Sequence, residues 1–152
     1  MNNRFPSKRQ NYTRIPTKKL VYFELGKEKY AVAIEQVNYV VHEFTFHGVM
    51  ENGISIVQER DRTIPIIDLS VIFLSSKEVR QSQYLIVCKL DSGNILGIPL
   101  PDMPAILEVP TDKFTDIPEL YRQNNLHPAV EKIIQVMDKV PIFYINLEKI
   151  IK

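Results

Sequence analysis

The chain has 152 residues, 45% of them hydrophobic, enough to bury a real core as one domain or as two small halves packed together. Its formal net charge is only +1, no run approaches ~20 consecutive apolar residues, and the first ten residues hold no apolar leader core, so neither a membrane-spanning helix nor a signal peptide is expected. One cysteine, Cys88, excludes an internal disulfide and is compatible with a reducing cytoplasm.

The charge is unevenly spread. Residues 1–19 carry Arg4, Lys8, Arg9, Arg14, Lys18 and Lys19 with no acidic side chain, whereas the remainder holds 13 basic against 18 acidic residues. This polar, proline-broken block reads as a disordered tail. It suits electrostatic attachment to nucleic acid, an anionic membrane or an acidic protein face, and it serves equally as a solvated tail.

From Leu20 the pattern changes. Leu20–Leu25 and Tyr30–Ile34 are predicted strands joined by a turn at Gly26–Lys29. Val37, Tyr39 and Val41 then alternate with Asn38, Val40 and His42, which predicts a third strand with one face on the core. Residues Phe44 to Gly53 read as irregular. Ile54–Gln58 is predicted to pair with Thr63–Ile67 across the polar turn Glu59–Arg62. Pro65 donates nothing to a ladder, which favours an edge strand or a strand start. Asp68 is then placed to cap a helical turn beginning at Leu69.

The second half repeats this plan after a polar connector, Ser75–Gln83. Tyr84–Leu90 and Ile95–Leu100 form a hairpin about Asp91-Ser92-Gly93-Asn94, the clearest turn in the chain. Ala105–Val109 is the third strand. Residues 110–129 make a longer excursion with one helical turn around Ile117–Tyr121. Val130–Val136 and Val140–Ile145 close the unit through Met137-Asp138-Lys139, and a short apolar helix, Leu147–Ile151, must dock on the rest. Val140-Pro141 through Asn146-Leu147 repeats Ile64-Pro65 through Asp68-Leu69, an early proline followed by a capping residue and leucine, so the chain reads as a duplicated all-β unit. Five short strands per half is the size of a small barrel.

Catalytic chemistry is thin. His42 and His47 beside Glu43 match no usual metal spacing, and His127 stands alone next to Pro128. Cys88 lies mid-strand with no basic partner close in sequence and reads as a buried thiol. Neither a phosphate loop nor a dinucleotide fingerprint is present. No catalytic residue, metal ligand, cofactor or small-molecule substrate is therefore assigned, and an enzyme is not expected.

The strand order together with Gln58-Glu59-Arg60-Asp61-Arg62-Thr63-Ile64-Pro65-Ile66-Ile67-Asp68-Leu69 resembles the CheW-like adaptors of bacterial chemotaxis signalling, over residues 20 to 152. In that family the stretch commonly reads Asn-Leu-Arg-Gly-x-x-x-Pro-x-x-Asp-Leu. Arg60, Pro65 and Asp68-Leu69 match it, while Gln58-Glu59 stands for Asn-Leu and Asp61 for the glycine. The resemblance implies two packed five-stranded SH3-like barrels with short helical turns, a first subdomain of about 20–74, with a crossover of the C-terminal part left open, and a second of about 83–152. It further implies a cytoplasmic scaffold, at membrane-associated receptor arrays, joining a CheA-class histidine kinase, through the kinase's CheW-like regulatory domain, to the cytoplasmic tip of chemoreceptors. Family positions lining the partner groove carry over to Val37, Tyr39, Val41, Arg60, Leu100 and Met103. The alternative is a small β-barrel module binding nucleic acid through the basic tail; the net acidic barrel region argues against it.

Overall fold

The computed structural model describes residues 15–49, 55–69, 73, 82–137 and 140–150. Within these the chain is mostly β, and no helix is long and apolar enough to cross a membrane. The first half supplies β1 (Thr17–Leu25), β2 (Glu28–Ala33), β3 (Val37–His42), β4 (Phe46–Val49), β5 (Ser55–Glu59) and β6 (Arg62–Ile66). The second supplies β7 (Tyr84–Lys89), β8 (Ile95–Leu100), β9 (Ala105–Pro110), β10 (Phe114–Thr115), the single-turn α1 (Glu119–Gln123), β11 (Val130–Met137) and β12 (Val140–Ile145). The hairpin turns lie where glycine permits a positive φ, with Gly26 at 60° and Gly93 at 92°.

Two six-stranded sheets result, ordered β10-β11-β12-β2-β1-β9 and β4-β5-β6-β8-β7-β3. Counting each half from its own first strand, the two orders are the same, so the duplication read from the sequence extends to every pairing. The sheets nevertheless do not coincide with the halves. Hairpin β1–β2 lies in the sheet of β9–β12, and hairpin β7–β8 lies in the sheet of β3–β6. A division near residues 75–82 therefore separates two sequence units but not two sheets. The physical reason is that each hairpin can bury both of its faces only between its host sheet and the other hairpin.

Each guest hairpin is held by one antiparallel and one parallel seam. In the first sheet β1 pairs with β9 from Thr17↔Pro110 to Tyr22↔Ala105, while β2 pairs in parallel with β12 from Lys29↔Ile142 to Val32↔Ile145. In the second, β7 pairs with β3, and β8 meets β6 at Ile66↔Gly97, with the Ile67 amide donating to the Gly97 carbonyl at 2.9 Å. Pro65 and Pro141 sit one residue ahead of these parallel seams. Amides two apart on a strand point the same way, so the proline nitrogen at 65 faces β8 like the Ile67 amide, and parallel pairing starts only after it. Pro65 thus lies on an interior strand rather than an edge or a strand start.

The core has three parts. The central one lies between the two guest hairpins and takes Val21, Phe23, Leu25, Tyr30 and Val32 from one, and Ile86, Cys88, Leu96, Ile98 and Leu100 from the other. Leu20, Ala31, Val109, Ile134 and Ile142 fill the inner face of the first sheet, and Val57, Ile64, Ile66, Leu85 and Val87 that of the second. The repeated exit turns close the centre from both sides. Leu69 and Leu147 are 1% and 0% exposed, each burial stabilising by about 1.5–3 kcal/mol. The Leu69 carbonyl accepts from the Phe73 amide, and the Phe73 ring stacks on Tyr30 at 5.4 Å. The Asn146 Oδ1 accepts from the Glu148 amide at 3.0 Å, and the Glu148 carboxylate accepts from the Asp91 amide at 2.6 Å. Each exit turn therefore reaches back across the centre to the hairpin of its own half.

Four sequence expectations change in detail. The segment Phe44–Gly53, read as irregular, contains β4, which pairs with β5 through a bulge. The basic tail ends earlier than residue 19, because Thr17, Lys18 and Lys19 belong to β1, where the Thr17 hydroxyl donates to Glu108 and the Lys18 ammonium lies over Phe114 and Tyr144. The C-terminal helix is a 3-10 turn, Leu147–Lys149, and the helical turn of the second half is Glu119–Gln123 rather than Ile117–Tyr121. The rest of the tail, residues 1–14, and the connector up to residue 81 lie outside the described residues.

Gly97 and Cys88 test this packing. A Cβ at Gly97 would come within 2.7 Å of Ile66 Cδ1 and 2.9 Å of Leu85 Cδ1, so Gly97→Ala is expected to lower stability by about 1–3 kcal/mol. An unchanged urea midpoint would contradict the tight seam. Burial pushes the Cys88 thiol up to about 12, which leaves almost no thiolate near neutrality. Native protein at pH 8 should resist iodoacetamide and react only after guanidinium unfolding, as read by mass spectrometry.

Candidate functional site

A cleft opens where β3, at the edge of the second sheet, passes the β5–β6 hairpin, and its lining is Tyr39, Val40, Val41, Glu59, Arg60, Asp61 and Arg62. The wall contributed by β3 follows from a register shift between Val37 and Tyr39. Val37 lies opposite Cys88 and packs on the central core, whereas Tyr39 and Val41 lie opposite Val87 and Leu85 and pack on the core of the second sheet. All three are half-buried and face inward, and Val40 on the other face is 40% exposed.

The other wall is a two-residue hairpin. Glu59 pairs with Arg62, leaving Arg60 and Asp61 as the loop. A two-residue loop that follows the strand twist needs a positive φ at its first residue, a place suited to glycine. Arg60 takes it, with φ of 57°, at a cost of about 1–2 kcal/mol. Asp61, which stands at the glycine of the family pattern, is not among the residues of positive φ. Gln58 braces the loop, its Nε2 donating to the Arg60 carbonyl at 3.1 Å and its Oε1 accepting from the Thr63 hydroxyl at 2.9 Å.

A polar chain links the two walls. The Tyr39 hydroxyl donates to Glu59 Oε1 at 2.9 Å and accepts from Arg62 Nη1 at 3.2 Å, and the Arg62 guanidinium lies 5.9 Å from the centre of the Tyr39 ring. Arg60 Nε stands 3.5 Å from Glu59 Oε2, with the Arg60 side chain 89% exposed and that of Glu59 18% exposed. An ion pair so open to water contributes little to stability. The cleft therefore combines an aromatic and aliphatic wall with two guanidinium groups, one carboxylate held by the Tyr39 hydroxyl beside Arg60, and one exposed aspartate at the loop tip. It has the makings of a protein-docking surface: area for apolar contact and donors for a carboxylate or carbonyl.

Of the six residues expected at a partner site, Tyr39, Val41 and Arg60 converge here. Val37 sits apart, at the margin of the central core. Leu100 is fully buried in that core and has no surface to present, which corrects its place among partner contacts. Met103, in the segment between β8 and β9, is 71% exposed and lies outside the cleft, close in sequence to Ile106, itself 67% exposed. Glu59, Arg62 and Val40 line the cleft as well, although none was among the expected partner contacts. The signal for the first two was present in the sequence: once the loop is two residues long, the residues flanking it are cross-strand neighbours.

No group of three or more His, Cys, Asp or Glu able to hold a metal occurs among the described residues. His42 stacks on Tyr84 at 4.6 Å, and His127 Nδ1 accepts from the Ala129 amide at 3.0 Å while its ring meets Phe73 edge-on. The His47 side chain lies outside the described residues.

A family model described as CheW-like domain matches residues 19–152. Among solved structures, the crystal structure of the scaffolding protein TtCheW from Thermoanaerobacter tengcongensis matches with a TM-score of 0.72 and 25% sequence identity, covering 86% of this chain and 90% of that chain. No curated protein matches. The all-β architecture of two packed sheets is thus that of a solved CheW scaffold.

The left-handed Arg60 separates a stability role from a recognition role. Arg60→Gly should raise the unfolding free energy by up to about 1 kcal/mol by removing the Cβ clash, offset in part by the freer unfolded chain, while Arg60→Ala should leave it near wild type. Urea melts of the three proteins check this; a less stable glycine variant would show that the turn is not strained.

Proposed function

This chain belongs to the CheW-like domain family, and from that premise we propose that it is a non-catalytic scaffold coupling a CheA-class histidine kinase to the cytoplasmic tips of chemoreceptors. The observation that carries the reading is the convergence of Tyr39, Val41 and Arg60 on one cleft. Apolar wall and guanidinium together suit a helical partner: the side chains of β3 supply contact area, and Arg60 supplies a charge-assisted hydrogen bond that fixes register. Met103, exposed outside the cleft, is a separate apolar contact in this reading. Val37 and Leu100 act from within, holding β3 and β8 on the central core.

The scaffold is proposed to work in the cytoplasm at membrane-associated receptor arrays, with the CheW-like regulatory domain of the kinase as its second partner. No step of bond chemistry is assigned to it, so its output is the geometry in which kinase and receptor are held.

The test is binding. Purified chain is titrated by calorimetry with the regulatory domain of a CheA-class kinase and with a chemoreceptor tip fragment, both from the same organism. Wild type is expected to bind both, and Arg60→Ala to weaken one of the two complexes roughly tenfold with an unchanged circular dichroism spectrum. A folded wild-type protein that binds neither would overturn the reading.

A further inference from the structure

Glu59 is the least exposed charge on the cleft wall, and both the Tyr39 hydroxyl and Arg60 face it. Its two carboxylate oxygens are engaged separately, Oε1 by the Tyr39 hydroxyl at 2.9 Å and Oε2 by Arg60 Nε at 3.5 Å. Arg62 donates to the same hydroxyl from the other side. A carboxylate set between a hydroxyl and a guanidinium is an arrangement by which proteins bind a foreign carboxylate, except that here the anion belongs to the chain itself. It is also local: Glu59 and Arg62 face each other across the hairpin, so the anion is delivered by the same two strands that deliver the cations.

We infer that Glu59 acts as an internal occupant of the cleft, with which an acidic side chain of the receptor tip competes for the Tyr39 hydroxyl and for Arg60. The inference rests on the docking role proposed above. Its consequence is selectivity: a weakly matching partner meets a cleft already neutralised, whereas a partner that fills the apolar wall of Tyr39 and Val41 gains enough to displace the resident carboxylate. Tyr39 couples the two events, because its ring forms part of the apolar wall while its hydroxyl holds Glu59. Exchange therefore moves the hydroxyl proton's acceptor from one carboxylate to another and leaves no donor unpaired.

Glu59→Gln tests this directly, since glutamine keeps an oxygen for the Tyr39 hydroxyl and removes only the charge. Titrated with the chemoreceptor tip fragment, Glu59→Gln should bind roughly three- to tenfold more tightly than wild type, with a steeper loss of affinity as salt is raised. The double variant Glu59→Gln with Arg62→Gln should lose most of that gain. Circular dichroism confirms that each variant is folded. If wild type binds the fragment and Glu59→Gln binds no better, the internal occupant is overturned while the docking role stands. If wild type binds neither the fragment nor the kinase domain, the docking role fails and the inference falls with it.

Discussion

Both sheets depend on strands borrowed from the other half of the sequence. Without β1 and β2 the first sheet lacks its centre, since β12 and β9 have no common neighbour; without β7 and β8 the same holds for β6 and β3. The exchange is what makes two repeats one body. Backbone hydrogen bonds of the parallel seams and apolar burial between the hairpins act on the same residues, so neither term can be lost alone. Gly97 shows how closely they are matched, because a Cβ there would press on the terminal methyl groups of Ile66 and Leu85.

The cleft inherits its geometry from this arrangement. Tyr39 can stand over the β5–β6 hairpin because β3 is an edge strand, pinned on one side by the guest strand β7. The register shift after Val37 decides which side chains serve the centre of the molecule and which serve the cleft wall. A strained loop then sets Arg60 outward, and Gln58 and Thr63 brace it from below. Glu59 and Arg62 at this site are both held by the Tyr39 hydroxyl, and Glu59 lies beside Arg60. Recognition by such a surface depends less on its net charge than on which pairs a partner can break.

Local chemistry was legible in the sequence and long-range pairing was not. The hairpin turns at Gly26 and Gly93, the alternation through Val37, Tyr39 and Val41, and the repeat of Pro65–Leu69 at Pro141–Leu147 are all written within a few residues. The exchange of hairpins joins Val21 to Ile106 and Ile66 to Gly97, and an apolar period of two specifies a face without specifying a neighbour. β4 is only four residues long and includes Gly48, which weakens any strand signal. At the site, alternation identified the inward face of β3 correctly as one apolar side, but whether that face meets core or partner depends on its position at a sheet edge. Nothing in an arginine announces a left-handed backbone, so the strain at Arg60 was invisible until its dihedral was known.

The borrowed hairpins also set the order of events during synthesis. β1 and β2 leave the ribosome with Phe23, Tyr30 and Val32 exposed, and their permanent neighbours follow much later, with Val21 paired to Ile106 of β9, 85 residues on, and Tyr30 to Phe143 of β12, 113 residues on. At usual elongation speeds that interval is on the order of ten seconds. Throughout it the first hairpin has two open edges and two apolar faces, and the correct acceptor sheet does not yet exist. A second copy being made nearby carries an identical vacancy, so crowding of nascent chains favours hairpin transfer between molecules. The same swap that welds one chain together is the route by which two chains would become entangled.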